Sequence, residues 1–314
     1  MTPRSPHPVA DGPPPSRRAI GARLAGGVGL AAGVLVLLVV VVTGGAEPAS
    51  APVVASPPLL LPDLDQEAPR DLAVRTGGAP GQAFRLGFRS AVHNIGDGPL
   101  VVEGSRPDRR VPTMRVDQVI LRRSRPPVVV RDVGRMEYAV SPDHSHWHYL
   151  QFERYALHRA ELRRAGGGAP LVRDRKTGFC LGDRYRVEPP PRQAPPEPVF
   201  TGSCGLDRPD HHSMREGISV GYGDDYVAFL EGQDLPLDGL PDGRYVLVHR
   251  VNAERRLRER SYDDNAASVL LDLRWQNGQP HLQVLATCHD TDRCDDPTDG
   301  SARVVPVVLD GSPA

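Results

Sequence analysis

From Asp63 onward the chain alternates short apolar runs with turn residues, the period-two signature of half-buried β-strands. Ala83 to Val92, the turn Asn94 to Gly98 and Pro99 to Glu103 read together as a β-hairpin. Further strands are expected at Met114 to Leu121, Val128 to Val133, Met136 to Val140, Trp147 to Leu157, Asp225 to Phe229, Tyr245 to Val251 and Ala266 to Arg274. In the fourth of these, Leu150, Phe152 and Tyr155 are expected to pack inward. Pro189 to Pro198 contains six prolines, which cannot join a central strand and predict a surface loop. The spacing predicts an all-β, sandwich-like domain with long loops.

The N-terminus follows another pattern. Residues 1–23 are rich in Pro and Arg and cannot build a core, so they read as a cytoplasmic tail. Leu24 to Val42 is an uncharged run of nineteen residues, long enough to cross a bilayer as one transmembrane helix, a signal anchor. Arg17, Arg18 and Arg23 before it, against Glu47 after it, place the N-terminus inside and the remainder outside. Cleavage near Gly45 and Ala46 would instead make the run a signal peptide and the protein secreted, an alternative the sequence leaves open. Residues 43–61 then read as a linker, and residues 62–314 as an extracytoplasmic domain attached to the cell membrane.

Composition adds little to the fold but excludes one class of partner. A net charge of -1 gives no electrostatic reason to propose nucleic acid. The 33 prolines, 32 glycines and only 5% aromatic residues agree with a loop-rich β-domain. Four cysteines in an exported chain fit two disulfides, with Cys288–Cys294 and Cys180–Cys204 the expected pairs among three connectivities. Cysteine ligation of a metal is the alternative, but the pairs lack zinc-ribbon spacing.

Candidate chemistry centres on Asp143 to Tyr149, DHSHWHY. His144, His146 and His148 occupy alternate positions, so on an extended segment their imidazoles share one face. Three such ligands would leave a coordination position open, and spacing alone does not choose among copper, zinc, nickel and iron. A flat strand would hold the first and third Cα atoms about 13 Å apart, so a bend or bulge is expected here. The bland reading is a polar, solvated strand face.

Three stretches together resemble the lysyl oxidase family of copper amine oxidases. HSHWH is similar to that family's copper-binding triplet, which implies His144, His146 and His148 as copper ligands. RKTGFCLGD, Arg175 to Asp183, is similar to the family's cofactor-lysine motif and implies Lys176. EGISVGYGDDY, Glu216 to Tyr226, is similar to the segment ending in the cofactor tyrosine and implies Tyr226. LPDGRYVLVHRVN, Leu240 to Asn252, resembles the strand that follows, and the likeness covers roughly Pro62 to Arg274. VAFLEGQDLPL after Tyr226 lacks the Cys and Trp of the animal enzymes, a departure that bears on the substrate pocket. The resemblance also implies a structural calcium at Asp63, Leu64, Glu259, Asp264 and Asn265, with Ser261 standing where the family has a carboxylate.

What the resemblance implies is copper-dependent oxidative deamination of primary amines, such as peptidyl lysine, to aldehydes. Dioxygen would be reduced to hydrogen peroxide, ammonia would be released, and the cofactor would be a lysine tyrosylquinone made from Lys176 and Tyr226. Lys176 is the sole lysine of an Arg-rich chain. Its amine must be neutral to add to the oxidised ring, which requires burial or a neighbouring cation to lower its pKa. For the general base, Asp224 and Asp225 are candidates because both lie within two residues of Tyr226, with Asp143 a competitor. His211 and His212 are expected on a loop surface. Two other classes remain: a zinc hydrolase on the same histidines, and a noncatalytic metal-binding surface β-domain.

Overall fold

The structure, a computed structural model, describes residues 58–76, 84–140, 145–164, 168–173, 178–295 and 302–308. Contacts divide the chain into residues 1–54 and 55–314, and every described residue belongs to the second unit. That unit is all-β. Its first strands are β1 (Leu59–Leu60), β2 (Leu64–Gln66), β3 (Arg70–Thr76), β4 (Phe84–Asn94), β5 (Leu100–Ser105), β6 (Thr113–Arg122) and β7 (Arg125–Val140). Then come β8 (Ser145–Leu150), β9 (Glu153–Arg159), the short helix α1 (Ala160–Arg164), β10 (Val172–Arg173), β11 (Gly178–Phe179), β12 (Tyr185–Arg186), β13 (Ser213–Ile218) and β14 (Tyr222–Tyr226). Strands β15 (Asp234–Pro236), β16 (Gly243–Val251), β17 (Ala266–Gln276), β18 (Gln279–Cys288), β19 (Arg303–Val304) and β20 (Val307–Val308) complete it.

Three sheets result. One runs β11-β8-β7-β6-β5-β13, with β1 added to β6. The second runs β10-β9-β16-β17-β18-β19, and the third β12-β14-β4-β3-β20, with β2 and β15 also on β4. Alternation along the strands explains how they enclose one core. Leu86 and Phe88 of β4, Leu100 of β5, Met114 of β6, Met136 of β7, Trp147 of β8, Tyr155 of β9 and Tyr245 of β16 are all buried in a single cluster. Burial of each such large side chain contributes about 1.5–3 kcal/mol relative to exposure. β16 is buried on both faces, because Val246 and Val248 join a second, smaller cluster with Ala160, Leu270, Ala286 and Cys294. That outer cluster lies under α1 and the Cys288–Cys294 loop.

The expected fold class is corrected in one respect. Among the described residues no helix is long and apolar enough to cross a membrane, and the only α-helix among them, α1, has five residues. Residues 24–42, where the span was expected, lie outside the described residues. The all-β expectation holds without that helix. Leu59 and Leu60, expected in the linker, instead pair with Arg122 and Leu121 of β6.

The expected hairpin does not form, because β4 pairs with β2, β3, β14 and β15 whereas β5 pairs with β6 and β13 in another sheet. The strand expected at Asp225 to Phe229 is instead β14, Tyr222–Tyr226. Two further strand boundaries differ for physical reasons. Val128 to Val133 and Met136 to Val140 are not two strands but parts of β7, which carries a bulge opposite Val116 to Gln118. Two extra residues of β7 are accommodated there, with Asp132 at φ 59° and its N–H donating to the Asp117 carboxylate at 2.9 Å. Trp147 to Leu157 is not one strand but two, in different sheets, because Gln151 turns the corner at φ 61°. Residues 189–198 form the expected loop, and both disulfides, Cys180–Cys204 and Cys288–Cys294, are present.

Candidate active site

Strand β8 positions the described histidines. It pairs with β7 in continuous register, Ala139 to His146 and Glu137 to His148, so these two side chains stand on one face. No bend interrupts the strand between Ser145 and Leu150, and the expected bulge is absent from that part. The opposite face anchors it. Trp147 is fully buried, its indole N–H donates to the Arg208 carbonyl at 3.1 Å, and Arg106 lies over its ring at 4.6 Å. The Trp147 N–H also donates to the carbonyl of Cys204, so the Cys180–Cys204 bridge fixes the loop that holds β8.

The Nε2 atoms of His146 and His148 are 2.7 Å apart, with ring centroids at 4.6 Å. Two imidazoles sharing one ion through bonds of about 2.0 Å hold their nitrogens about 3 Å apart, so this convergence fits a common metal. His144 and the competitor Asp143 lie outside the described residues. Among the described residues no group of three His, Cys, Asp or Glu side chains could hold a metal ion, and the pair is what the described part of the triplet contributes.

Strand β11 pairs with the histidine strand and leads into the segment that holds the tyrosine. Gly178 pairs with Leu150 and Phe179 with Tyr149, and Cys180 directly follows that pairing. Only glycine fits at 178, because a Cβ there would lie 2.5 Å from the Cβ of His148. The Tyr226 hydroxyl accepts the Cys180 N–H at 2.7 Å and donates to the Cys180 carbonyl at 3.2 Å. Its ring meets Phe179 edge-on at 4.8 Å. Burial, and next the Asp224 charge, push the phenol well above its usual pKa, so it stays protonated in this environment. Lys176 lies outside the described residues, two positions before β11.

The two Asp candidates separate by strand alternation. Asp224 and Tyr226 share the inward face of β14, whereas Asp225 points the other way and pairs with Arg89. Only Asp224 is brought to the site. Burial raises its pKa to about 8, against the lowering influence of Arg184, whose Nε lies 3.5 Å from Oδ1. Oδ2 accepts the Gly182 N–H at 3.2 Å, and Oδ1 has no hydrogen bond.

Sequence reasoning missed the carboxylates that organise this segment. Glu216 is buried and accepts the Leu181 N–H at 3.1 Å, while its Oε1 has no hydrogen bond, and burial drives its pKa well above the ordinary range. Asp183 accepts N–H groups of Val199, Phe200 and Ser219 at 2.7, 3.0 and 2.7 Å. Glu216 opened the tyrosine motif and Asp183 closed the lysine motif, so the signal was acidic residues inside apolar runs. Glu153 is a further buried acid whose charge reaches Asp224, and it accepts hydroxyls of Ser90 and Tyr155 at 2.5 and 2.7 Å. His211 and His212 lie on the loop before β13, where His211 offers its carbonyl to Arg106.

The calcium candidates also come together, with mixed chemistry. Asp264 Oδ1 and Asn265 Oδ1 are buried without hydrogen bonds, as oxygens awaiting a hard cation would be. Asp63 and Glu259 are not. Asp63 accepts Ser261 N–H at 2.8 Å and is ion-paired to Arg260, while Glu259 accepts Leu64 N–H, Asn252 and Asn265 amides at 2.8, 2.6 and 2.8 Å. Burial raises Glu259 to about 7 and Asp264 to about 6. With Arg260 on Asp63, the set as it stands does not fit Ca²⁺.

No family model matches the chain, and no curated protein matches it.

Proposed function

We propose that the protein is a lysyl oxidase-like copper amine oxidase that converts primary amines to aldehydes outside the cytoplasm. The observation that carries the reading is the seating of the Tyr226 hydroxyl on the backbone of Cys180, the residue after β11, which pairs with the strand whose His146 and His148 Nε2 atoms converge. His146 and His148, with His144, would hold the copper. Once matured, copper and the quinone formed from Lys176 and Tyr226 would supply the carbonyl electrophile and return electrons to dioxygen.

The chain's own residues do the rest. Phe179 and the Cys180 backbone fix the plane and the oxygen of Tyr226, which limits how the ring can turn. Asp224, on the same strand face and with a carboxyl raised to about 8, is placed to take the substrate α-proton at Oδ1 and hold it. Arg184 keeps part of that carboxyl ionised near neutrality. The two disulfides suit an oxidising compartment.

The test is an amine-dependent peroxide assay on copper-loaded protein, with phenylhydrazine as a carbonyl probe. A coloured adduct and peroxide release are expected. Absence of both after full copper loading contradicts the proposal, and hydrolase activity with zinc alone would replace it.

A further inference from the structure

Away from this site, the outer face of the second sheet carries unused chemistry. Arg154, Ala156 and His158 alternate on β9 on the face opposite the main core, and β16 sets Arg250 and Val248 directly beside Arg154 and Ala156. α1 and the Cys288–Cys294 loop cover part of this face. They leave a cavity of about 360 Å³ with a floor that includes Ala156 and Val248 and a wall of Arg154, Arg163, Arg173, Arg250 and His158.

The charges do not cancel. Asp292, in the disulfide loop, pairs with Arg163 and with Arg250 at 2.5 Å. Glu254 pairs with Arg154 and with Arg256 at 2.6 Å. Arg173 makes no ion pair among the described residues, so four guanidinium groups stand against the carboxylates of Asp292, Glu254 and the buried Glu153, which also lines the cavity, an excess of one positive charge. His158 sharpens the point. It is 7% exposed and its Nδ1 has no hydrogen bond. Leaving a buried polar atom unpaired costs about 1–3 kcal/mol. The charges acting on it from the packed elements are Arg163, Arg173 and Asp292.

We propose that this cavity binds a small organic oxyanion, a carboxylate, phosphate or sulfate on a short apolar body. Planar guanidinium groups match such anions in paired hydrogen bonds, and the Ala156 and Val248 floor accepts the body. The site uses none of the residues assigned to amine oxidation. Its failure and the failure of that assignment are therefore separately visible.

Calorimetric titration of the full chain with benzoate, phenyl phosphate and phenyl sulfate, each against its inorganic or acetate counterpart, tests the proposal and ranks the three oxyanions. At least one aromatic probe is expected to bind saturably below about 1 mM and more tightly than its counterpart. Arg173→Ala should weaken binding about fivefold or more. Asp292→Asn, which releases Arg163 and Arg250, should tighten it, a direction that misfolding cannot produce. No saturable binding up to about 10 mM, or affinities unmoved by both substitutions, would overturn the site. Equal affinity for the inorganic ions would overturn the organic class.

Discussion

Two buried acidic clusters in this domain use their carboxylates in opposite ways. At the Tyr226 end, Asp224 and Glu216 each accept one backbone N–H and keep one oxygen without a hydrogen bond. At the Asp63 end, Glu259 accepts three N–H groups and Asp63 is held by Arg260 and Ser261. Both ends are buried, yet Asp224 rises to about 8 and Glu259 only to about 7, because donors around Glu259 offset desolvation. The number of donors, not burial alone, separates a carboxyl free to move a proton from one that holds two chain segments together.

The largest expected effect breaks the first end outright. Tyr226→Phe and Lys176→Arg should each abolish amine-dependent peroxide release while copper, measured by atomic absorption, stays bound. His146→Ala should lose the copper as well.

Next comes the base. Asp224→Asn should lower turnover about 10²–10³-fold, whereas Asp225→Asn, on the opposite strand face, should stay within about threefold. Asp224 also marks the stability curve. Its carboxyl is raised from 3.8 to about 8 on folding, so between those values the folded chain binds the extra proton. Its contribution to stability is fully present below pH 3.8 and is lost as pH rises through about 8. Denaturant titrations should show that decline, and Asp224→Asn should flatten it.

Smaller effects sharpen the contrast. Cys204→Ser opens the bridge that fixes β8 and should cost about 3 kcal/mol in denaturant unfolding, with turnover falling in parallel. Arg260→Ser frees Asp63 at the other end. Calcium should then raise the melting temperature of that variant and leave the parent unchanged, as scanning calorimetry would show.

Much of this was legible in the sequence, and unevenly. Period-two alternation gave β4, β6, β16 and β17, because each is half or fully buried along its length. It could not show the corner at Gln151 or the bulge at Asp132, since positive φ at a non-glycine residue leaves no mark in hydropathy. Short strands such as β10, β11 and β12 escaped for a related reason. Two residues carry no periodicity, and their pairing is decided by partners far along the chain. The histidines and Tyr226 were named from the residues and the resemblance, but the choice between Asp224 and Asp225 needed the strand face. Glu216 and Asp183 act through backbone N–H groups and Arg260 through an ion pair with Asp63, contacts that no motif displays.

Peptide mapping by mass spectrometry of protein matured aerobically with copper tests the central claim most directly. The proposal predicts one branched peptide joining the fragments that carry Lys176 and Tyr226, at a mass above their sum, because the ring gains one oxygen while four hydrogens leave. Recovery of the two fragments separately and unmodified would contradict it.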